Sequence, residues 1–135
     1  MTDRELLELA AKAVGYMPNN NWAWSERAQA FRYRLGGDWI EWNPLTDDAD
    51  ALRLAVRLKI EFYIGDDDGV ATYAGYFDPA RPSNRQRFAI ERHGDDPYAA
   101  TRRAIVRAAA EIGRAMRPLD QVHQMLQDEA EEARP

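Results

Sequence analysis

The sequence predicts an α+β fold: an antiparallel sheet, made from a hairpin and a three-stranded meander, with helices packed on one face in the order α-ββ-α-βββ-α(-α). Three observations carry this reading. Two alternating runs flank Gly36-Gly37, the signature of a tight hairpin turn. Three more strand-like runs, over 60–64, 70–77 and 85–92, are separated by polar loops. Around them lie segments whose apolar residues recur at helical spacing.

The first helix is expected over residues 3 to 14. Leu6, Leu7, Leu9, Ala10, Ala13 and Val14 share one side, and Arg4, Glu5, Glu8 and Lys12 the other. Thr2 suits the N-cap, Asp3 and Glu5 suit the positive end of the helix dipole, and Gly15 can close the helix in a left-handed conformation. From Tyr16 to Ala30, Pro18, three asparagines and the Trp22-Ala-Trp24 pair read as a loop pinned by aromatics, with a short helical turn over 25–29.

Pairing outward from Gly36-Gly37 sets Leu35 against Asp38, Arg34 against Trp39, Tyr33 against Ile40, Arg32 against Glu41 and Phe31 against Trp42. One face is then apolar. The other holds an Arg32–Glu41 ion pair and an Arg34–Trp39 cation–π pair. Asn43-Pro44 turns the chain, Thr46 caps the second helix, and Ala51, Leu52, Leu54, Ala55 and Leu58 form its buried side. After the meander, Asp95-Asp96-Pro97 opens the longest helix, with Tyr98, Ile105, Ala109, Ile112 and Met116 along its apolar arc. Pro118 breaks it. The expected division is one domain over 1–118 and a helical, acidic tail over 119–135.

Composition narrows the function classes. The chain has 135 residues, no cysteine, 45% hydrophobic residues and a formal charge of −5, so one core of ordinary size is expected without disulfides or thiolate metal sites. No apolar run approaches the length of a membrane span, and the acidic start does not resemble a signal peptide. A cytoplasmic protein with no membrane role is expected.

Candidate chemistry is sparse. Aspartates at 47, 48 and 50 and at 95 and 96 sit where helix N-termini favour negative charge. Asp66, Asp67 and Asp68 are consecutive, without the spacing of a calcium loop. His93 and His123 are the only histidines, and neither has a second ligand at metal spacing. His93 with Asp95 is the one conceivable acid–base pair, but no nucleophile accompanies it. No catalytic, cofactor or metal site is expected, and the reading is non-enzymatic. Trp22, Trp24, Arg34 and Trp39 are candidates for binding a protein partner. Arg103, Arg107, Arg114 and Arg117 fall on one side of the long helix and are candidates for nucleic acid, with Glu111 and the acidic tail able to neutralise them. Monomer and homodimer are both compatible with an exposed edge strand.

Residues 46 to 116 follow the α-β-β-β-α order of double-stranded RNA-binding domains. That likeness is topological, since the second helix begins Asp95-Asp96-Pro97-Tyr98 rather than with a lysine cluster. A closer resemblance rests on Trp42-Asn43-Pro44-Leu45-Thr46-Asp47-Asp48, on Ala51-Leu52-Arg53-Leu54-Ala55-Val56, and on the run from Asp96 to Ala109. Over residues 39 to 115 the chain resembles small proteins of unknown function from tailed phages and proteobacterial prophages, loosely the NinX-like group. The resemblance implies an accessory protein acting inside a bacterium and carries no catalytic residues with it.

Overall fold

The computed structural model describes residues 1–16, 21–66, 69–80 and 85–116. The expected terminal helix, Arg117, Pro118, His123 and the acidic tail lie outside them, as do Pro18, Asp67, Asp68 and the loop residues 81–84. The fold is α+β, with three helices and two three-stranded antiparallel sheets. In chain order the elements are α1 (Asp3–Ala13), β1 (Trp22–Ser25), β2 (Ala30–Leu35), β3 (Asp38–Trp42), α2 (Asp48–Leu58), β4 (Glu61–Gly65), β5 (Ala71–Tyr76), β6 (Arg87–Arg92) and α3 (Pro97–Ala115).

Local chemistry sets the ends of α1. Thr2 Oγ1 accepts from Glu5 N at 3.1 Å and Glu5 Oε2 accepts from Thr2 N at 3.1 Å, a reciprocal capping box. At the other end Tyr16 N donates to Ala11 O and Gly15 N to Lys12 O, with Gly15 at φ 82°. That is a Schellman closure, and it turns Tyr16 back onto the core.

The hairpin register is the expected one, from Leu35↔Asp38 to Phe31↔Trp42. Gly36 and Gly37 both take positive φ, as a two-residue turn matching strand twist requires. The Trp22-Ala-Trp24 segment differs from the expected loop. It is a third strand, with Trp22 opposite Tyr33 and Trp24 opposite Phe31. Residues 26–29 form a turn rather than helix, and Gln29 is left-handed at φ 51°. The hairpin therefore completes a sheet of its own, β1-β2-β3, and the meander forms a second, β4-β5-β6.

On the inner face of the first sheet, Trp22, Trp24, Phe31, Tyr33 and Trp42 pack together. Tyr16 stacks on Trp22 at 4.7 Å and meets Trp42 edge-on at 5.8 Å, and Trp24 meets Phe31 edge-on at 5.0 Å. Asp47, not Thr46, caps α2: its Oδ1 accepts from Asp50 N at 2.9 Å. Thr46 instead closes a turn on the Asn43 carbonyl.

Helix α3 is the hub. It packs against α1, α2, β5 and β6, so Ala100, Ala104, Ile105, Val106, Ala108, Ala109 and Ala110 are buried nearly all round it. Small residues permit that close approach on several sides. Tyr98, expected on the apolar arc, lies in the first turn beyond the sheet and is 70% exposed.

Candidate functional site

Two of the expected arginines meet in one place. Between the N-terminus of α1, the middle of α3 and the β5-β6 edge lies a cleft of about 380 Å³, with Arg103, Arg107, Glu91, Glu111, Tyr76 and Met1 in its lining. Strand alternation sends Glu91 and Tyr76 to the side of the sheet that α3 covers. Arg103 and Arg107, one helical turn apart, reach toward them.

The geometry neutralises both guanidinium groups. Arg103 Nη1 lies 3.0 Å from Asp3 Oδ1 and its Nε 3.4 Å from Glu91 Oε1. Arg107 Nη1 lies 3.2 Å from the same Glu91 oxygen and donates to the Ile90 carbonyl at 2.9 Å. Arg114 stands 4.0 Å from Glu111 and contacts Met1 Sδ. The cleft thus matches its cations with Asp3, Glu91 and Glu111, and it is a lattice of ion pairs rather than a cationic groove. Burial, and next the Glu111 carboxylate, push the Tyr76 phenol up, so it stays protonated and neutral.

Histidine 93 is committed elsewhere. Its Nε2 lies 2.7 Å from Thr72 Oγ1, which lies 2.7 Å from Thr101 Oγ1, and Thr101 donates to the Pro97 carbonyl at 2.8 Å. Each hydroxyl has one proton, so Thr72 donates to Thr101 and accepts from a proton-bearing Nε2. Asp95, the expected partner, makes no hydrogen bond or ion pair with His93, and the neighbouring Asp96 is used otherwise. Its carboxylate accepts from Tyr98 N and Ala99 N and caps α3. The structure brings His93 to two threonines rather than to an aspartate.

The expected protein-binding residues divide. Trp22 and Trp24 are half-buried on the inner face, where Trp24 also donates to Glu26 at 3.1 Å and lies under Arg4. Arg34 and Trp39 lie together on the outer face. Trp39 is exposed, with Arg34 5.2 Å and Arg32 5.4 Å from its ring centroid. Arg32 covers Trp39 instead of forming the expected ion pair with Glu41, because the exposed indole offers it a face at less desolvation cost.

Sequence reasoning missed a second open surface. On the side of β4-β5-β6 away from α3, Tyr63, Tyr73 and Ile90 form one cross-strand row, with Phe88 opposite Gly75 in the next pair. Tyr63 and Tyr73 stack at 5.0 Å with planes 3° apart, and Phe88 meets Tyr63 edge-on at 6.2 Å. The available signal was two-sided hydrophobicity: the runs at 60–64 and 70–77 are apolar at both parities, more than one covered face requires.

Comparison of the chain with protein-family models, with curated proteins and with solved structures gives no match.

Proposed function

We propose that this chain is a non-enzymatic interaction module, a phage or prophage accessory protein of the bacterial cytoplasm, and that a protein partner docks on the open face of β4-β5-β6. One observation carries the reading. Tyr63, Phe88 and Ile90 are 52%, 42% and 48% exposed in neighbouring positions on one sheet face. A contiguous aromatic and aliphatic patch on a small chain marks a place for a partner, and tyrosine is among the residues that supply most binding energy when such a patch is covered. The exposed Trp39, flanked by Arg32 and Arg34 on the first sheet, has the same hot-spot composition and is the second contact candidate. The phage assignment rests on the likeness over residues 39 to 115.

Nucleic acid is the second reading, because aromatic sheet faces also stack single-stranded bases. It ranks lower, since Arg103 and Arg107 are already held by Asp3 and Glu91 and the net charge is −5. The test is capture from nuclease-treated bacterial lysate with the wild-type chain and with Phe88→Asp/Ile90→Asp. A discrete protein retained by the first and lost by the second supports the docking face. A salt-sensitive shift of DNA or RNA, abolished by Arg103→Glu/Arg107→Glu, replaces it with nucleic-acid binding. Wild-type and variant capturing the same proteins overturns the choice of face.

A further inference from the structure

An edge strand offers unpaired backbone N–H and C=O groups, and proteins blunt such edges with charge, proline, bulges or short length. Three of the four edges here are managed in that way. Strand β6 carries Arg87, Glu91 and Arg92, and its Ile90 carbonyl is taken by Arg107. Strand β3 carries Asp38 and Glu41, and β1 has only four residues. Strand β4 is different. Phe62, Tyr63 and Ile64 are consecutive and 41%, 52% and 55% exposed, with Phe62 and Ile64 on one face and Tyr63 on the other. Its only charge is Glu61, at its first position.

We infer that β4 pairs antiparallel with β4 of a second copy about a two-fold axis at Tyr63, joining two three-stranded sheets into one of six strands. The sequence fits this register. In a continuous antiparallel sheet opposed residues share a face, so a two-fold pairing must be centred on a residue, and only centring on Tyr63 uses all of Glu61–Gly65. Phe62 then faces Ile64 of the second copy, which closes an apolar cluster on the α3 side. Tyr63 faces Tyr63 beside the Tyr63–Tyr73 stack. Glu61 faces Gly65, so no like charges oppose each other. Beyond the strand the register sets Asp66 of the second copy opposite Ile60, with exposed Lys59 one residue further along. Centring on Ile64 instead would pair only residues 63–65 of the strand.

This pairing goes beyond the docking reading; the two share Tyr63, but the docking test acts on Phe88 and Ile90 of the opposite edge strand, so each can fail without the other. The full chain should sediment as a dimer at micromolar concentration. Phe62→Lys/Ile64→Lys should raise the dissociation constant at least about tenfold, with an unchanged circular dichroism spectrum. Because the chain has no cysteine, Tyr63→Cys gives an independent readout. Opposed residues in either class of antiparallel pair have Cα atoms about 4.5 or 5.5 Å apart, inside the disulfide range. Tyr63→Cys should therefore oxidise to a covalent dimer much faster than Ala23→Cys, which sits exposed on the other sheet. A wild-type chain that stays monomeric to high micromolar concentration overturns the inference. So does a dimer that the two lysines leave unchanged and in which Tyr63→Cys cross-links no faster than Ala23→Cys.

Discussion

Thr72 is the one fully buried polar side chain among the described residues, and its hydroxyl is used twice, by His93 and by Thr101. Thr72→Val keeps the shape and leaves both neighbours without their partner, so it should cost about 1–3 kcal/mol. Thr72→Ser, which keeps the hydroxyl, should cost less, and urea denaturation of the two variants measures the difference. Asp50 gives a prediction with a pH sign. Burial pushes its carboxyl up, against the Asn43 amide that donates to it at 3.0 Å and pulls it down. The folded state therefore binds this proton more tightly than the unfolded chain, and the stability Asp50 contributes falls as pH rises from the ordinary aspartate value through the raised one. The melting temperature of Asp50→Asn relative to wild type should accordingly be highest at neutral pH and decline on acidification through that window. A difference independent of pH would overturn it. Neither residue stands out in the sequence: Thr72 looks like any strand threonine and Asp50 like a third capping aspartate, because burial and partner choice are set by distant elements.

At the scale of elements, the seam between α1 and α3 is tighter than side-chain patterns suggest. A Cβ on Gly113 would collide with the Leu9 carbonyl and approach the Ala13 amide. On an open helix face Gly→Ala gains about 1 kcal/mol. Here the neighbour is backbone and cannot swing away, so Gly113→Ala should destabilise by about 3 kcal/mol, the top of the usual overpacking range, with an unchanged urea m-value. Arg102 ties α3 to α2. Its Nε donates to the Leu45 carbonyl at 2.8 Å and its Nη1 to Asp48 at 2.7 Å, with the arginine side chain only 17% exposed. Arg102→Ala should cost about 1–3 kcal/mol, measured by the same urea denaturation. Elements set by near neighbours were legible from sequence, as the hairpin register, the Thr2 cap and the proline start of α3 show. Strand β1 was not, because four residues between turns carry too little alternation and only pairing with β2 makes them a strand. Arg103 and Arg107 were legible as a pair on one side of α3, but their neutralisation by Asp3 and Glu91 required tertiary contacts.

At the scale of the whole molecule the two sheets are held unequally. The second sheet lies directly on α3, which also packs against α1 and α2. The first sheet touches the helices lightly, chiefly through β2 on α1, and much of its attachment is aromatic: Tyr16 stacks on Trp22 and meets Trp42 edge-on, with Arg57 5.5 Å from its ring centroid. A layer held through one seam opens at lower free energy than a hub held on several sides. Native-state hydrogen exchange should therefore find the β1, β2 and β3 amides opening before those of 104–110 in α3. Tyr16→Ala removes the ring that joins α1, α2 and the first sheet, at a local cost of about 2–3 kcal/mol, below the range for a fully buried aromatic. The loss should fall on the first-sheet amides and leave the slowest α3 amides nearly unchanged, because sub-global opening releases the sheet without dismantling the hub. Equal loss of protection in both regions would mean that the sheets unfold as one unit, and the seam at Tyr16 would then be part of the global core.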